Sequence, residues 1–126
     1  MYQTMARTGG RIMALIYIVE DDKNISEIES YALKNSGYLV DTFENAKTFW
    51  SRVQDRKPDL VLLDVMLPDS DGIEVLKKMR RNPDTRRVPV IMVTAKSSEI
   101  DKVKGLDNGA DDYITMPFGI MELISR

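Results

Sequence analysis

Apolar runs alternate with segments of helical periodicity along most of this chain. Continuous apolar runs, typical of strands buried on both faces, occupy residues 14–19, 59–64 and 88–94, and shorter ones predict strands at 38–43 and 111–115. Between these runs, apolar residues recur at the three- and four-residue spacing of amphipathic helices. Because strand and helix alternate five times with short connections, we predict an α/β fold with a five-stranded, doubly wound parallel sheet.

The predicted helices carry start and stop signals as well as an apolar stripe. In the first helix, Asn24 and Glu27 have the spacing of a capping box, and Gly37 marks the end. The third helix is predicted to run from about Ser70 to Arg81. The residues predicted to face the sheet are Ile25, Ile28 and Ala32 in the first helix, Ala46, Phe49, Trp50 and Val53 in the second, Ile73, Leu76 and Met79 in the third, and Ile100, Val103 and Leu106 in the fourth.

The two ends of the chain differ from this regular pattern. Residues 1–13 lack periodicity and contain two consecutive glycines, which predicts a disordered leader or a tail added for expression, with an ordered extra element as the alternative. Residues 14–126 then form one domain. The last predicted helix, 118–126, is short, so we expect a truncated helix that depends on packing for its stability.

Composition excludes several classes of function. The chain has no cysteine and no histidine, which removes thiol nucleophiles, zinc–thiolate sites and the usual general base. A formal net charge of −2 gives no electrostatic reason to expect nucleic-acid binding. Neither a membrane-spanning apolar run nor a signal peptide is evident, so we expect no membrane partner and a cytoplasmic location.

Acidic and hydroxyl side chains follow three of the predicted strands. Glu20, Asp21 and Asp22 come after the first strand, Asp64 ends the third, and Thr94 ends the fourth. Strand ends meet at one edge of a parallel sheet, and clustered carboxylates require a cation or a proton. With oxygen ligands alone, Mg²⁺ fits best. Taken singly, each residue has another explanation, since acids often occupy solvated turns and threonine favours strands.

Four blocks of sequence carry a family resemblance. The segments "IYIVEDD", "DLVLLDVMLPDSDG", "PVIMVTA" and "GADDYITMPF" resemble, in order and spacing, the receiver domain of bacterial two-component response regulators. The resemblance covers residues 14–126 and is closest to the class in which a winged-helix DNA-binding domain follows the receiver. It implies a flavodoxin-like fold with strand order 2-1-3-4-5. It also implies a signalling switch that accepts a phosphoryl group from a sensor histidine kinase, and no conventional enzyme.

The resemblance assigns roles residue by residue. It makes Asp64 the phosphorylated aspartate and Thr94 the hydroxyl that bonds the phosphoryl group. Glu20 and Asp21 become the acidic pair that holds Mg²⁺ together with Asp64. The remaining positions are Met66, whose backbone carbonyl becomes a further metal ligand, and Tyr113, the aromatic switch residue.

One position departs from the family pattern, because Met116 stands where the family has lysine. Methionine offers no charge and no hydrogen-bond donor, so we expect impaired phosphorylation or readout. A divergent receiver that signals without the lysine is an alternative, and Met116 packing against the core is compatible with both. A third possibility is a phosphorylation-independent interaction module. A phosphohydrolase is disfavoured because the second acid that such enzymes use two residues after the nucleophile is Met66 here.

The resemblance also implies pairing of two copies through the fourth helix, fifth strand and fifth helix. We expect the short last helix to weaken or alter this pairing. The alternative for the charged residues there is a solvated surface, since exposed ion pairs are common and weak. The matching positions are Lys102, Asp107, Asp111, Asp112, Glu122 and Arg126.

Overall fold

The computed structural model describes residues 14–94 and 109–115. The predicted leader, the fourth and last helices, and the expected truncation all lie outside these ranges. The elements are β1 (Leu15–Val19), α1 (Lys23–Asn35), β2 (Leu39–Phe43), α2 (Ala46–Asp55), β3 (Leu60–Asp64), α3 (Gly72–Arg81), β4 (Val90–Thr94) and β5 (Asp112–Thr115).

The five strands form one sheet in the order β2-β1-β3-β4-β5. All four strand pairings are parallel, so the carboxyl ends of the strands lie along one edge. This arrangement confirms the predicted doubly wound α/β fold and the strand order that the resemblance implies. No helix in the described part of the chain has the length and apolar character needed to cross a membrane.

The strands β1, β3 and β4 alternate their side chains between two hydrophobic clusters, one on either face of the sheet. On β1, Tyr17 and Val19 join the cluster that includes residues of α2 and α3. Ile16 and Ile18 join the other cluster, together with Leu33 of α1. The continuous apolar runs in the sequence follow from this burial on both faces.

The predicted inward residues of α2 and α3 are confirmed. Ala46, Phe49 and Val53 are buried in α2, as are Ile73, Leu76 and Met79 in α3. Trp50 is half-buried against the same cluster, and the ammonium of Lys78 lies 4.8 Å from the centre of its ring.

The predictions for α1 were partly wrong. The N-cap is Asp22, not the expected Asn24–Glu27 box, because a carboxylate oxygen of Asp22 accepts hydrogen bonds from the backbone N–H groups of Asn24 and Ile25. The buried residues of the helix are Ser26, Glu29 and Leu33, whereas Ile28 is 53% exposed. Of the predicted inward residues, Ile25 and Ala32 are half-buried and pack against the cluster that contains Leu33, so only Ile28 was wrong. The fully buried positions lie one residue further along the helix. The predicted end was correct, since Gly37 follows the helix at a φ of 96°.

Strand and helix starts differ slightly from the predicted ones. The fourth strand begins at Val90, two residues later than expected, because Pro89 has no N–H group to donate to a neighbouring strand. The third helix begins at Gly72, where the Asp71 carboxylate caps the Ile73 N–H at 2.8 Å.

Candidate functional site

Three carboxylates meet at the carboxyl edge of the sheet. Glu20 and Asp21 follow β1, and Asp64 ends the adjacent strand β3. One carboxylate oxygen from each of the three lies within 4.8 Å of the others. Glu20 is only 6% exposed, Asp64 is half-buried and Asp21 faces solvent. The structure thus brings together the three acids that the sequence proposed as metal ligands.

Burial makes this cluster unfavourable without a neutralising partner. Loss of solvent raises the pKa of Glu20, and its hydrogen bond with Asp64 raises it further. Burial also raises the pKa of Asp64, although hydrogen bonds from Glu20 and from the Met66 N–H act in the opposite direction. The two carboxyl groups therefore favour a shared proton. A small, hard cation with oxygen ligands can replace that proton, so this donor set fits Mg²⁺.

The loop after Asp64 is closed by its own backbone. We call residues 65–71 the acceptor loop. The Gly72 N–H donates to the Val65 carbonyl at 2.7 Å, the Leu67 N–H donates to the Ser70 carbonyl at 3.2 Å, and Met66 pairs with Asp71 as an isolated bridge. These bonds hold Met66 beside the carboxylate cluster while its side chain is 59% exposed. Its expected role as a metal ligand through the backbone carbonyl stays a prediction.

Gly72 allows the end of β3 and the start of α3 to approach closely. A Cβ atom at Gly72 would overlap the carbonyl oxygen of Asp64 and lie 2.9 Å from the Cα atom of Val65. Only glycine fits this position without a shift of the backbone that carries Asp64.

Glu29 is a buried acid that the sequence analysis missed. It lies on the inward face of α1 and is 1% exposed, and among the described residues its Oε2 atom has no hydrogen-bond partner. Burial raises the pKa of Glu29 to about 8, and the charge of Asp64 raises it as well. The sequence did hold one signal for its burial. Glu29 lies four residues before the apolar Leu33, which places both residues on the same face of the helix.

The remaining predicted site residues are described in part or not at all. For Thr94 and Tyr113 the structure describes only the backbone, which places Thr94 next to Val93, the β4 partner of Asp64, and Tyr113 opposite Met92. Met116 lies outside the described residues. So do Lys102, Asp107, Glu122 and Arg126 of the predicted pairing surface.

Two acids of that predicted surface fall in the described part. Asp112 begins β5 and is described by its backbone alone. The carboxylate of Asp111 accepts hydrogen bonds from the Val90 N–H at 2.8 Å and from Arg80 at 3.2 Å. It therefore has partners within the chain, and its part in pairing two copies stays a prediction.

Known proteins resemble this chain in sequence and in structure. The sequence model of one protein family, the response regulator receiver domain, matches residues 16–126 of the chain. The chain is 43% identical over 111 residues to the phosphate regulon transcriptional regulatory protein PhoB of Rhizobium meliloti, which covers 88% of the chain and 49% of that protein. For PhoB of Pseudomonas aeruginosa the identity is 46% over 111 residues, covering 88% of the chain and 48% of the relative. The chain thus spans about half the length of the curated relatives it matches.

Solved structures extend this similarity to the fold. A response regulator from Chloroflexus aurantiacus superposes with a TM-score of 0.85 at 32% identity, covering 90% of this chain and 93% of that one. The Mn²⁺-bound form of response regulator Rcp1 superposes with a TM-score of 0.78 at 28% identity, covering 89% and 87%. With the family match over most of its length, this chain belongs to the response regulator receiver domain family.

Proposed function

We propose that this chain is the phospho-accepting switch of a two-component system, with Asp64 as the acceptor. The observation that carries the proposal is the meeting of Glu20, Asp21 and Asp64 at the carboxyl edge of the sheet, within 4.8 Å of one another. A carboxylate nucleophile beside two further acids suits phosphoryl transfer, which depends mainly on positioning and charge neutralisation. The family membership supports the same assignment.

In the proposed reaction, a carboxylate oxygen of Asp64 attacks the phosphorus atom of the donor. For a sensor kinase phosphohistidine whose other ring nitrogen is protonated, the N–P bond breaks, an O–P bond forms on Asp64, and the histidine leaves as neutral imidazole that keeps that proton. The Met66 N–H, 3.3 Å from Asp64 Oδ1, orients the carboxylate. Thr94 and Tyr113 keep the phosphoryl-binding and switch roles that the sequence predicts for them.

The cofactor in this proposal is Mg²⁺, held by Glu20, Asp21 and Asp64 with the backbone carbonyl of Met66. When bound, Mg²⁺ neutralises the carboxylates and the incoming phosphoryl oxygens. A structural relative, response regulator Rcp1, has been solved in a Mn²⁺-bound form, which supports a divalent cation as the cofactor. The buried carboxylate of Glu20 is costly to ionise alone. A cation held directly against this carboxylate is therefore favoured over a cation bound loosely at the exposed surface.

Met116 favours a second candidate function. Since the family has lysine at this position, the chain lacks one charge-assisted hydrogen bond to the phosphorylated state, worth about 1.5–3 kcal/mol. We expect impaired phosphorylation or readout. The alternative is a phosphorylation-independent module that uses the receiver fold for dimerisation or for other interactions.

The proposed partners are a sensor histidine kinase and a second copy of the chain. We propose that pairing uses the surface of the fourth helix, fifth strand and fifth helix, including Lys102, Asp107 and Glu122. Direct binding of nucleic acid by this chain is not expected, because its net charge is slightly negative. A cytoplasmic location follows from the proposed kinase partner.

The test compares the chain with Met116→Lys. Both proteins are incubated with Mg²⁺ and acetyl phosphate, and intact mass with peptide mapping detects one phosphoryl group on Asp64. Asp64→Asn is the matched control and should gain none. If only the lysine form is modified, Met116 impairs an otherwise complete acceptor. If both are modified equally, the lysine serves readout and the acceptor function holds. Modification of neither protein would favour the interaction module.

A further inference from the structure

The carboxylate of Asp69 connects two elements that are far apart in the chain. Its Oδ1 atom accepts a hydrogen bond from the Ala46 N–H at 2.9 Å, and its Oδ2 atom accepts one from the Lys47 N–H at 3.1 Å. Asp69 lies in the acceptor loop, and both donors belong to the first turn of α2. These N–H groups have no partner inside the helix, so an acid from another segment can satisfy them.

The helix at the other end of this contact is firmly placed. Its first turn is also capped from within, because the Asn45 side chain accepts a hydrogen bond from the Thr48 N–H at 2.9 Å. Its inward residues Ala46, Phe49 and Val53 are buried in the cluster shared with α3. The first turn of α2 is thus a fixed point against which a loop can be held.

The acceptor loop needs such a fixed point. Its internal bonds, from Leu67 to Ser70 and from Gly72 to Val65, close it on itself but do not fix it against the rest of the domain. Asp69 is exposed, yet its one carboxylate accepts hydrogen bonds from two N–H groups of a helix start. Those hydrogen bonds, with the Ala46 bond first, lower the pKa of Asp69, as expected for an ionised acceptor.

We propose that Asp69 is a positioning residue for the acceptor site: by binding the first turn of α2, it holds the acceptor loop so that Met66 and Asp64 keep the geometry needed for cation binding and phosphoryl transfer. The inference rests on the proposed function for its effect on phosphorylation, but its effects on loop geometry and on cation affinity can be measured without any phosphorylation.

The competing explanation is that Asp69 only caps α2. Asn45 provides the matched control, since it caps the same helix turn and, among the described residues, its side-chain oxygen accepts hydrogen bonds only from Thr48. Asp69→Ala and Asn45→Ala both remove hydrogen bonds to the start of α2. Only Asp69→Ala also frees the loop. Asp69→Asn is the conservative variant, because its one carbonyl oxygen can retain one of the two bonds while its amide nitrogen cannot accept the other.

The experiment uses the full chain of each variant at a temperature where all are folded by circular dichroism. Amide hydrogen exchange is followed for Leu67 and Gly72, and Mg²⁺ affinity is measured by calorimetry. We expect faster exchange and a Mg²⁺ dissociation constant raised about tenfold in Asp69→Ala, the scale of lost outer-shell support in metal sites. Asp69→Asn should fall between, and Asn45→Ala should match the unchanged chain in both measurements.

Equal exchange and equal Mg²⁺ affinity in Asp69→Ala and Asn45→Ala would overturn the inference and leave Asp69 as a helix cap. If the unchanged chain binds no Mg²⁺, the exchange comparison alone decides between the two explanations. Failure of the unchanged chain and of Met116→Lys to accept a phosphoryl group would count against the proposed function. That result would not affect the hydrogen-exchange comparison, which tests this inference independently of phosphorylation.

Discussion

Arg80 at the end of α3 is paired with Asp111, the residue that precedes β5, through a hydrogen bond of 3.2 Å from Nη2 to Oδ2. The same guanidinium donates from Nε to the Gly109 carbonyl at 2.9 Å and from Nη1 to the Val88 carbonyl at 2.7 Å. One side chain therefore joins the helix to the segments on both sides of β4. Lysine could not replace it, because only the guanidinium presents several donors in a fixed plane.

We expect Arg80→Ala to lower the free energy of unfolding by about 2–3 kcal/mol, because it removes the side-chain donor to the Gly109 and Val88 carbonyls and one of the two donors to the carboxylate of residue 111. Arg81→Ala is the matched control. Arg81 is adjacent and exposed, so its removal should change stability by less than about 0.5 kcal/mol. Urea denaturation followed by circular dichroism measures both. A loss no larger in Arg80→Ala than in Arg81→Ala would show that solvent replaces these contacts at little cost.

Glu29 should make stability depend on pH. Its pKa in the folded protein is raised to about 8 from 4.5, so the folded state favours the protonated form. The stability associated with this residue is complete below the unfolded pKa and is lost as pH rises toward 8. The free energy of unfolding of Glu29→Gln, relative to that of the unchanged chain, should therefore rise by about 3 kcal/mol between about pH 5 and about pH 8. Chemical denaturation at these two pH values, without Mg²⁺, measures the difference.

Glu27→Gln serves as the control for the Glu29 measurement, since it removes an exposed carboxylate from the same helix. It should change stability by less than about 0.5 kcal/mol at either pH. If Glu29→Gln shows the same stability difference at both pH values, the buried carboxyl has found a partner or solvent in solution, and the raised pKa does not hold.

The sheet and the acid cluster could be predicted from the sequence because each depends on a simple repeated feature. Apolar runs mark strands buried on both faces, and the parallel sheet then brings Glu20, Asp21 and Asp64 to one edge. The pattern did not predict Glu29, because residues 25, 28 and 32 and residues 26, 29 and 33 both have helical spacing. The choice between the two stripes depends on the Asp22 cap and on the packing of Leu33.

Contacts between distant segments were also beyond the sequence. In the sequence, Asp69 has the features of an ordinary turn residue, and Arg80 is one of several basic residues in the last turn of α3. Apart from the Val88 carbonyl, which is eight residues from Arg80, the partners named for these two side chains lie 22 to 31 residues away along the chain. No local spacing rule connects such pairs, so they became visible only when the fold placed α2, the acceptor loop and the start of β5 beside them.

Asp64→Asn should separate stability from function. Because burial raises the pKa of Asp64, removing its charge should make the metal-free protein more stable near neutral pH. For the unchanged chain, Mg²⁺ at ten times its dissociation constant should add about 1.4 kcal/mol to the free energy of unfolding. The variant should lose most of that gain. Thermal unfolding with and without Mg²⁺ tests both effects, with Glu44→Gln as a control for an exposed acid outside the cluster. Equal Mg²⁺ stabilisation of Asp64→Asn and the unchanged chain would remove Asp64 from the ligand set.

Gly72→Ala should damage the acceptor site more than it damages the fold. A methyl group at this position overlaps the Asp64 carbonyl oxygen, so either β3 or the start of α3 must move. Relief of such overpacking costs about 1–3 kcal/mol. Because the displaced atoms belong to Asp64 and Val65, we expect Mg²⁺ affinity to fall even where the variant is fully folded.

Gly37→Ala is the control: a Cβ there meets no atom within 4 Å, but its φ of 96° strains any other residue. It should therefore lower stability without changing Mg²⁺ affinity. If Gly72→Ala also leaves Mg²⁺ affinity unchanged, the start of α3 has moved and β3 has not. The close approach at Gly72 then serves helix packing alone.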